Sequence, residues 1–262
     1  MLTASAASGC APQAGTAPSS VALPEAAVHA SAAPLAPTVR LPKGFSTAPP
    51  EALPLGSYYF NPVSGRREVV LGDLAGTAVL IGDSQAEPAD SWLRRGLERA
   101  GYRVYFAGRG GTGFTVGIEG VHDYVDALRL GDWYLPYGKP SLVVVQGGGN
   151  DATRHSADAA IVSGAKDLIG ELHRTYPGAR VVMVGTLAKS AADGGGRRTE
   201  VDALLGRTSA QLGVPFIPCG DWISRYNLGA HLADAVHLKP EGHALLAPVF
   251  GDALSAKGLA LG

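Results

Sequence analysis

The chain has 262 residues, with 22 Lys and Arg against 23 Asp and Glu and a formal net charge of −1 at pH 7. That balance, without a long basic run, argues against nucleic-acid binding. No apolar stretch reaches the roughly 18–20 residues needed to span a bilayer.

The N-terminal segment differs in composition from the rest. From Thr3 to Pro54 it is mostly Ala, Pro, Ser and Thr, with prolines at 12, 18, 24, 34, 37, 42, 49, 50 and 54. Proline at that density removes amide donors and breaks helix and sheet. Few large apolar residues occur there to offset the entropy of ordering the chain. The expectation is a flexible tether over residues 1–55 and one globular domain over 56–262, large enough for a single core. Ala7-Ser8-Gly9-Cys10 resembles the small-residue box before the lipidated cysteine of bacterial lipoproteins. The charged and apolar segments of such a signal do not precede it. Either the given start lies inside a longer signal or the resemblance is accidental. Composition favours a secreted or envelope-associated protein with a membrane tether through Cys10, and leaves a cytoplasmic one open. A disulfide between Cys10 and Cys219 has no supporting pattern.

Beyond the tether, strand and helix signals alternate. Ala75 to Ile81 ends in an apolar run and reads as a buried strand; Pro88 to Ala100 carries Trp92, Leu93, Leu97 and Ala100 on one helical face. Proline suits the first turn of a helix, so that helix is expected to begin at Pro88. Tyr102 to Ala107 is a second strand, with a weaker helical stretch near Val121 to Leu130. Ser141 to Gln146, with three consecutive valines, is a third strand, followed by a helical stripe from Ala159 to Leu172. Ala179 to Val184 is a fourth strand, Val201 to Leu212 marks a helix, Val214 to Ile217 is a short fifth strand, and Pro240 to Leu254 is a closing helix. Apolar strands separated by helices imply a parallel sheet covered on both faces. Sites in such sheets lie beyond the carboxyl ends of the strands.

Four stretches carry chemistry, and three of them fall directly at strand ends. Ser84, in Gly82-Asp83-Ser84-Gln85, sits on a strand-to-helix turn that exposes a hydroxyl and aims backbone amides at an oxyanion; taken alone it could equally be a helix cap or turn. Gly108-Arg109-Gly110-Gly111-Thr112-Gly113 spells GxGxxG. It follows the second strand, opens no strong helix and has no acidic strand end after it, which argues against a dinucleotide site. A glycine amide, best Gly113, could approach an oxyanion closely. Asn150, after Gly147-Gly148-Gly149, offers an amide donor with no proton to lose, or else a turn; Asp151 could cap the segment that follows it. Asp234, three residues before His237, can hold the imidazole in the tautomer that accepts a serine proton. His231, His237 and His243 recur every six residues, which does not stack metal ligands on one helix face, so no metal is expected.

Ile81-Gly82-Asp83-Ser84, the loop ending at Gly113, Gly148-Gly149-Asn150-Asp151, Asp234-Ala235-Val236-His237-Leu238 and the tail Lys239 to His243 occur in an order that resembles the SGNH (GDSL-type) serine hydrolases. The resemblance covers about residues 70–258. It implies a flavodoxin-like three-layer α/β/α sandwich with a mostly parallel five-stranded sheet. Ser84 would be the nucleophile, His237 the base and Asp234 its partner, with the Ser84 amide, Gly113 and Asn150 as the oxyanion hole and no cofactor. One departure stands out: Gly108 occupies a place where the family usually carries asparagine, which leaves the donor glycine less defined. The implied activity is ester cleavage on a small-molecule or glycan substrate, most simply a short-chain O-acyl ester of a carbohydrate or glycolipid. An O-acyltransferase or a lipase or arylesterase of broad specificity would use the same residues. Trp133, Tyr134 and Tyr137 would either stack a sugar or pack on the domain edge.

Overall fold

A computed structural model describes residues 48–261, so Cys10 and most of the expected tether lie outside the described residues. Within the tether range, Pro50–Ala52 forms one 3₁₀ turn with Pro50 buried. Cys219 is a free, buried thiol.

The first strands are ones the apolar pattern does not announce. β1 (Tyr58–Asn61) and β2 (Arg66–Val69) pair antiparallel. The alternating units follow: β3 (Thr77–Gly82), α1 (Trp92–Arg99), β4 (Arg103–Gly108), α2 (Tyr124–Leu130), β5 (Leu135–Pro136), β6 (Leu142–Gln146), α3 (Gly149–Thr153), α4 (Asp158–Thr175), β7 (Arg180–Val184), α5 (Gly196–Leu212), β8 (Phe216–Ile217), α6 (Trp222–Arg225) and α7 (Pro240–Ala256). The main sheet is fully parallel in the order β4-β3-β6-β7-β8; β5 joins β2 in a small second sheet. This is the expected flavodoxin-like strand order.

The layers follow from alternation along each strand. Val79, Ile81, Val143, Val145, Val181 and Met183 face Tyr124, Leu128, Ile161, Leu168, Val201 and Leu205 from α2, α4 and α5. Ala78, Leu80, Leu142, Val144, Val182 and Val184 face Trp92, Leu93, Leu97, Leu246 and Phe250 from α1 and α7. Every residue of β3 and β6 is buried, which is why both read as continuous apolar runs. The small sheet is pinned to the main body by charge. Glu171 on α4 meets Arg66 of β2 at 2.7 Å, Arg129 of α2 at 2.9 Å, and Arg174. Burial pushes the Glu171 carboxyl up, but its Arg129 hydrogen bond and the Arg66 and Arg174 charges outweigh that and hold it below the usual range.

α1 begins at Trp92 rather than at the expected Pro88. Ser91 is its N-cap, accepting the Arg94 amide through its hydroxyl, while the Trp92 amide donates to His243 Nδ1 at 3.2 Å. The residues from Pro88 to Asp90 are thus left outside the helix. Strand order reverses between β3 and β6, and the crevice beyond their carboxyl ends is where such sheets bind ligands.

Candidate active site

Ser84 lies two residues beyond β3, in a turn folded around Asp83. The Asp83 carbonyl accepts the amides of Ala86 and Glu87 at 2.9 and 3.0 Å, and its carboxylate accepts the Gln85 amide at 2.9 Å. The Gln146 side chain, in the orientation that satisfies both its ends, donates to the same carboxylate at 3.1 Å. Burial lifts the Asp83 carboxyl to about 6, with the Gln85 amide and the Arg198 charge pulling the other way. The turn leaves the Ser84 amide without a partner among the described residues, and its hydroxyl faces the histidine loop.

That loop is tied off at its base. Leu232 bridges Leu238, Ala233 N–H donates to His237 O, and Lys239 N–H to His231 O. Asp234 Oδ1 accepts the amides of Val236 and His237, both at 2.8 Å, and Oδ2 meets His237 Nδ1 at 2.7 Å. His237 Nε2 lies 2.9 Å from Ser84 Oγ. Ser84, His237 and Asp234 therefore form one continuous hydrogen-bonded chain across 153 residues of sequence. The Val236 amide, then the His237 ring and amide, hold the Asp234 carboxyl down to about 2. It is a carboxylate at any pH where the imidazole is neutral, so it fixes the proton on Nδ1 and leaves Nε2 as acceptor. Gln85 locks the two loops together: Nε2 donates to Val236 O at 2.9 Å, while Oε1 accepts the Trp92 indole N–H at 3.4 Å.

The glycine loop departs from expectation. The Gly113 amide, expected to meet the oxyanion, donates instead to Val116 O at 2.8 Å. A side chain at Gly113 would overlap the Asp151 carboxylate, so glycine is required there by a buried anchor. Asp151 accepts Phe114 N–H at 3.1 Å, Thr115 N–H at 2.8 Å and Thr115 Oγ at 2.7 Å. Its role is to clamp the preceding loop, not to cap the segment that follows it. Gly110 is the loop residue against Ser84, and its amide is held by Glu87 Oε2 at 3.0 Å.

Asn150 closes this side. Its Nδ2 donates one proton to Thr112 O of the glycine loop at 2.9 Å, and its second N–H has no partner among the described residues. Asn150→Ala is expected to lower kcat about 10²–10³-fold, the usual loss for one oxyanion donor, with little change in KM; steady-state kinetics on an activated ester reads it. The turn that presents Asn150 depends on Gly148, at φ +93°, where a Cβ would overlap Thr186 Oγ and stand 2.8 Å from Val201. Gly148→Ala combines a left-handed backbone with a core clash and should cost at least about 2 kcal/mol, readable as a lowered urea midpoint.

The sequence model of the GDSL-like Lipase/Acylhydrolase family matches residues 75–245. The chain belongs to this family. It is a carboxylic ester hydrolase of the SGNH type, and the match contains all four stretches that carry Ser84, the glycine loop, Asn150 and His237. No curated protein matches it. Among solved structures, a catalytic mutant of Axe2, an acetylxylan esterase from Geobacillus stearothermophilus, superposes with a TM-score of 0.53 at 15% identity, over 68% of this chain and 94% of that one. The acetyl xylan esterase Est2A from Butyrivibrio proteoclasticus gives 0.53 at 14% identity, over 74% of this chain and 68% of that one. A lipolytic G-D-S-L family member from Veillonella parvula gives 0.51 at 14%, over 71% and 99%. At these identities the likeness establishes the fold.

Three residues of this SGNH hydrolase's site have no local sequence signal for their roles: Gln85, Asp151 and Arg198. Each has at least one partner 36 or more residues away. The aromatic trio is placed by packing. Trp133 is buried in the core, the Tyr134 ring sits 4.9 Å from Tyr58, and the Tyr137 ring 5.2 Å from Tyr59 on the small sheet.

Proposed function

We propose that this hydrolase is a serine esterase that removes short acyl groups from carbohydrate or glycolipid O-acyl esters. The observation that carries the reading is the relay from Asp234 Oδ2 through His237 to Ser84 Oγ, with steps of 2.7 and 2.9 Å. Ser84 Oγ attacks the ester carbonyl as its proton passes to His237 Nε2, and the imidazolium is stabilised by Asp234. The oxyanion is held by the Ser84 amide and the free N–H of Asn150. Collapse expels the alcohol, which takes the proton from Nε2 and leaves acyl-Ser84. Water then attacks the acyl carbon, passes a proton to Nε2, and the acid leaves as Ser84 regains it.

Two features support hydrolysis of a polar substrate. The His237 and Asp234 side chains are 42% and 55% exposed, so water reaches the base freely. The segment next to the nucleophile is polar, with Glu87 and Asp90 partly exposed, and Glu87 pairs with Arg109 of the glycine loop. Acetylated xylan, named for two proteins that share the fold, is a substrate of this class. The test is turnover of nitrophenyl esters from acetyl to dodecanoyl, beside the Ser84→Ala protein. Serine-dependent rates that fall steeply beyond short chains are expected. Equal or rising rates with chain length would overturn the short-chain assignment, and transfer to an added alcohol in preference to water would make the protein an acyltransferase.

A further inference from the structure

We infer that the cavity beside the His237 loop is a subsite for an anionic substituent, a carboxylate or phosphate, on the alcohol half of the ester; this rests on the esterase reading above. The cavity has a volume of about 490 Å³, within the range of ligand sites. Its lining includes Ala233, Asp234 and Ala235 of the loop that carries His237, together with Lys189, Arg198 and the Gly194–Gly195 turn. In the proposed mechanism His237 Nε2 returns its proton to the departing alcohol oxygen, so the alcohol half must lie on the histidine side of Ser84. The acyl oxygen lies on the Asn150 side. The cavity shares the loop that carries His237, which puts it with the half of the substrate that leaves, and its Arg198 reaches across to the Asn150 turn.

Its charged lining is two cations, Lys189 and Arg198, and one carboxylate, Asp234. Arg198 Nε donates to Leu187 O and Nη1 to Gly149 O, both at 3.1 Å, which fixes the guanidinium against the Asn150 turn. Its Nη2 has no hydrogen-bond partner among the described residues, and neither has the exposed Lys189 Nζ. The carboxylate that lines the cavity, Asp234, has both oxygens engaged by Val236 N–H, His237 N–H and His237 Nδ1. Asp193, near Lys189, is bound to Ser190 Oγ at 2.6 Å. α5 begins at this lining with neither a side-chain cap nor an acidic residue in its first turn, which leaves the positive end of its dipole uncompensated. On the opposite flank of Ser84, Glu87 accepts the Gly110 amide and pairs with Arg109 at 3.2 Å, so the cation on that side is already matched by a carboxylate.

The experiment compares O-acetylated methyl glucoside, its glucuronoside and its 6-phosphate. Each is assayed for hydrolysis by the wild-type protein and for binding to Ser84→Ala by calorimetry. One or two charge-assisted hydrogen bonds predict a preference of about 10–100-fold for an anionic sugar, diminishing as salt is raised; the tighter of the carboxylate and phosphate arms names the source. Lys189→Glu, at an exposed position, should abolish or reverse that preference. Equal hydrolysis and equal binding of all three would overturn the subsite and leave the esterase standing, and so would a preference indifferent to Lys189→Glu. Lys189-dependent binding of the anionic sugars with no hydrolysis of any would keep the subsite and remove the esterase.

Discussion

Ser84→Ala is expected to lower kcat on nitrophenyl acetate about 10⁵–10⁶-fold while leaving the fold intact. Among the described residues the side chain's one hydrogen bond is to His237 Nε2, so its loss removes no backbone anchor there. The turn is held instead by Asp83 and Gln146, and the thermal midpoint should be unchanged within a few degrees. The size of the effect follows from covalent catalysis. Without Oγ no acyl-enzyme forms, and the oxyanion donors alone supply only a modest residual rate. Residues that act as a unit are not additive, so Ser84→Ala/His237→Ala should be no slower than either single variant. A loss of only tenfold, or losses that multiply in the double variant, would sink the nucleophile assignment.

What could be read from the sequence follows from burial and separation. The central strands were legible because β3 and β6 are buried on both faces, which forces runs such as Ala78 to Ile81 and Leu142 to Val145. The site was legible because a parallel sheet presents its functional loops at its carboxyl edge, where Ser84 and Asn150 follow strands that pair directly. The small sheet was not. β1 is only partly buried, β5 has two residues, one a proline, and their pairing is set by contacts that no local alternation encodes. The start of α1 was misplaced because Pro88 and Ser91 are both good helix-start signals, and the His243 contact to the Trp92 amide, 151 residues away, favours the second. Gly113 shows how a motif can be right in type and differ in role. The position does need glycine, but because the Asp151 carboxylate occupies the space a Cβ would fill. Asp151 itself looks like a turn residue until Phe114 and Thr115 are placed beside it.

His237→Ala is expected to lower kcat about as far as Ser84→Ala, roughly 10⁵–10⁶-fold, and to change the shape of the pH profile. In the wild-type protein Asp234, held at about 2, does not titrate in the working range and so cannot supply the acid limb; the limb is expected to depend on the ring. Removing the ring removes that limb, and the small remaining rate should climb with hydroxide concentration. Asp234→Asn separates the two parts of the relay. The Asn oxygen can still accept the Val236 and His237 amides, so the loop is retained, but its NH₂ would then face Nδ1. That drives the proton to Nε2, pointing at Ser84 Oγ in the tautomer that cannot accept. The loss should be about 10⁴-fold, smaller than for the ring itself. A His237→Ala protein that kept the wild-type acid limb would assign the base elsewhere, with Asp83, lifted to about 6 beside the nucleophile, as the group to replace next.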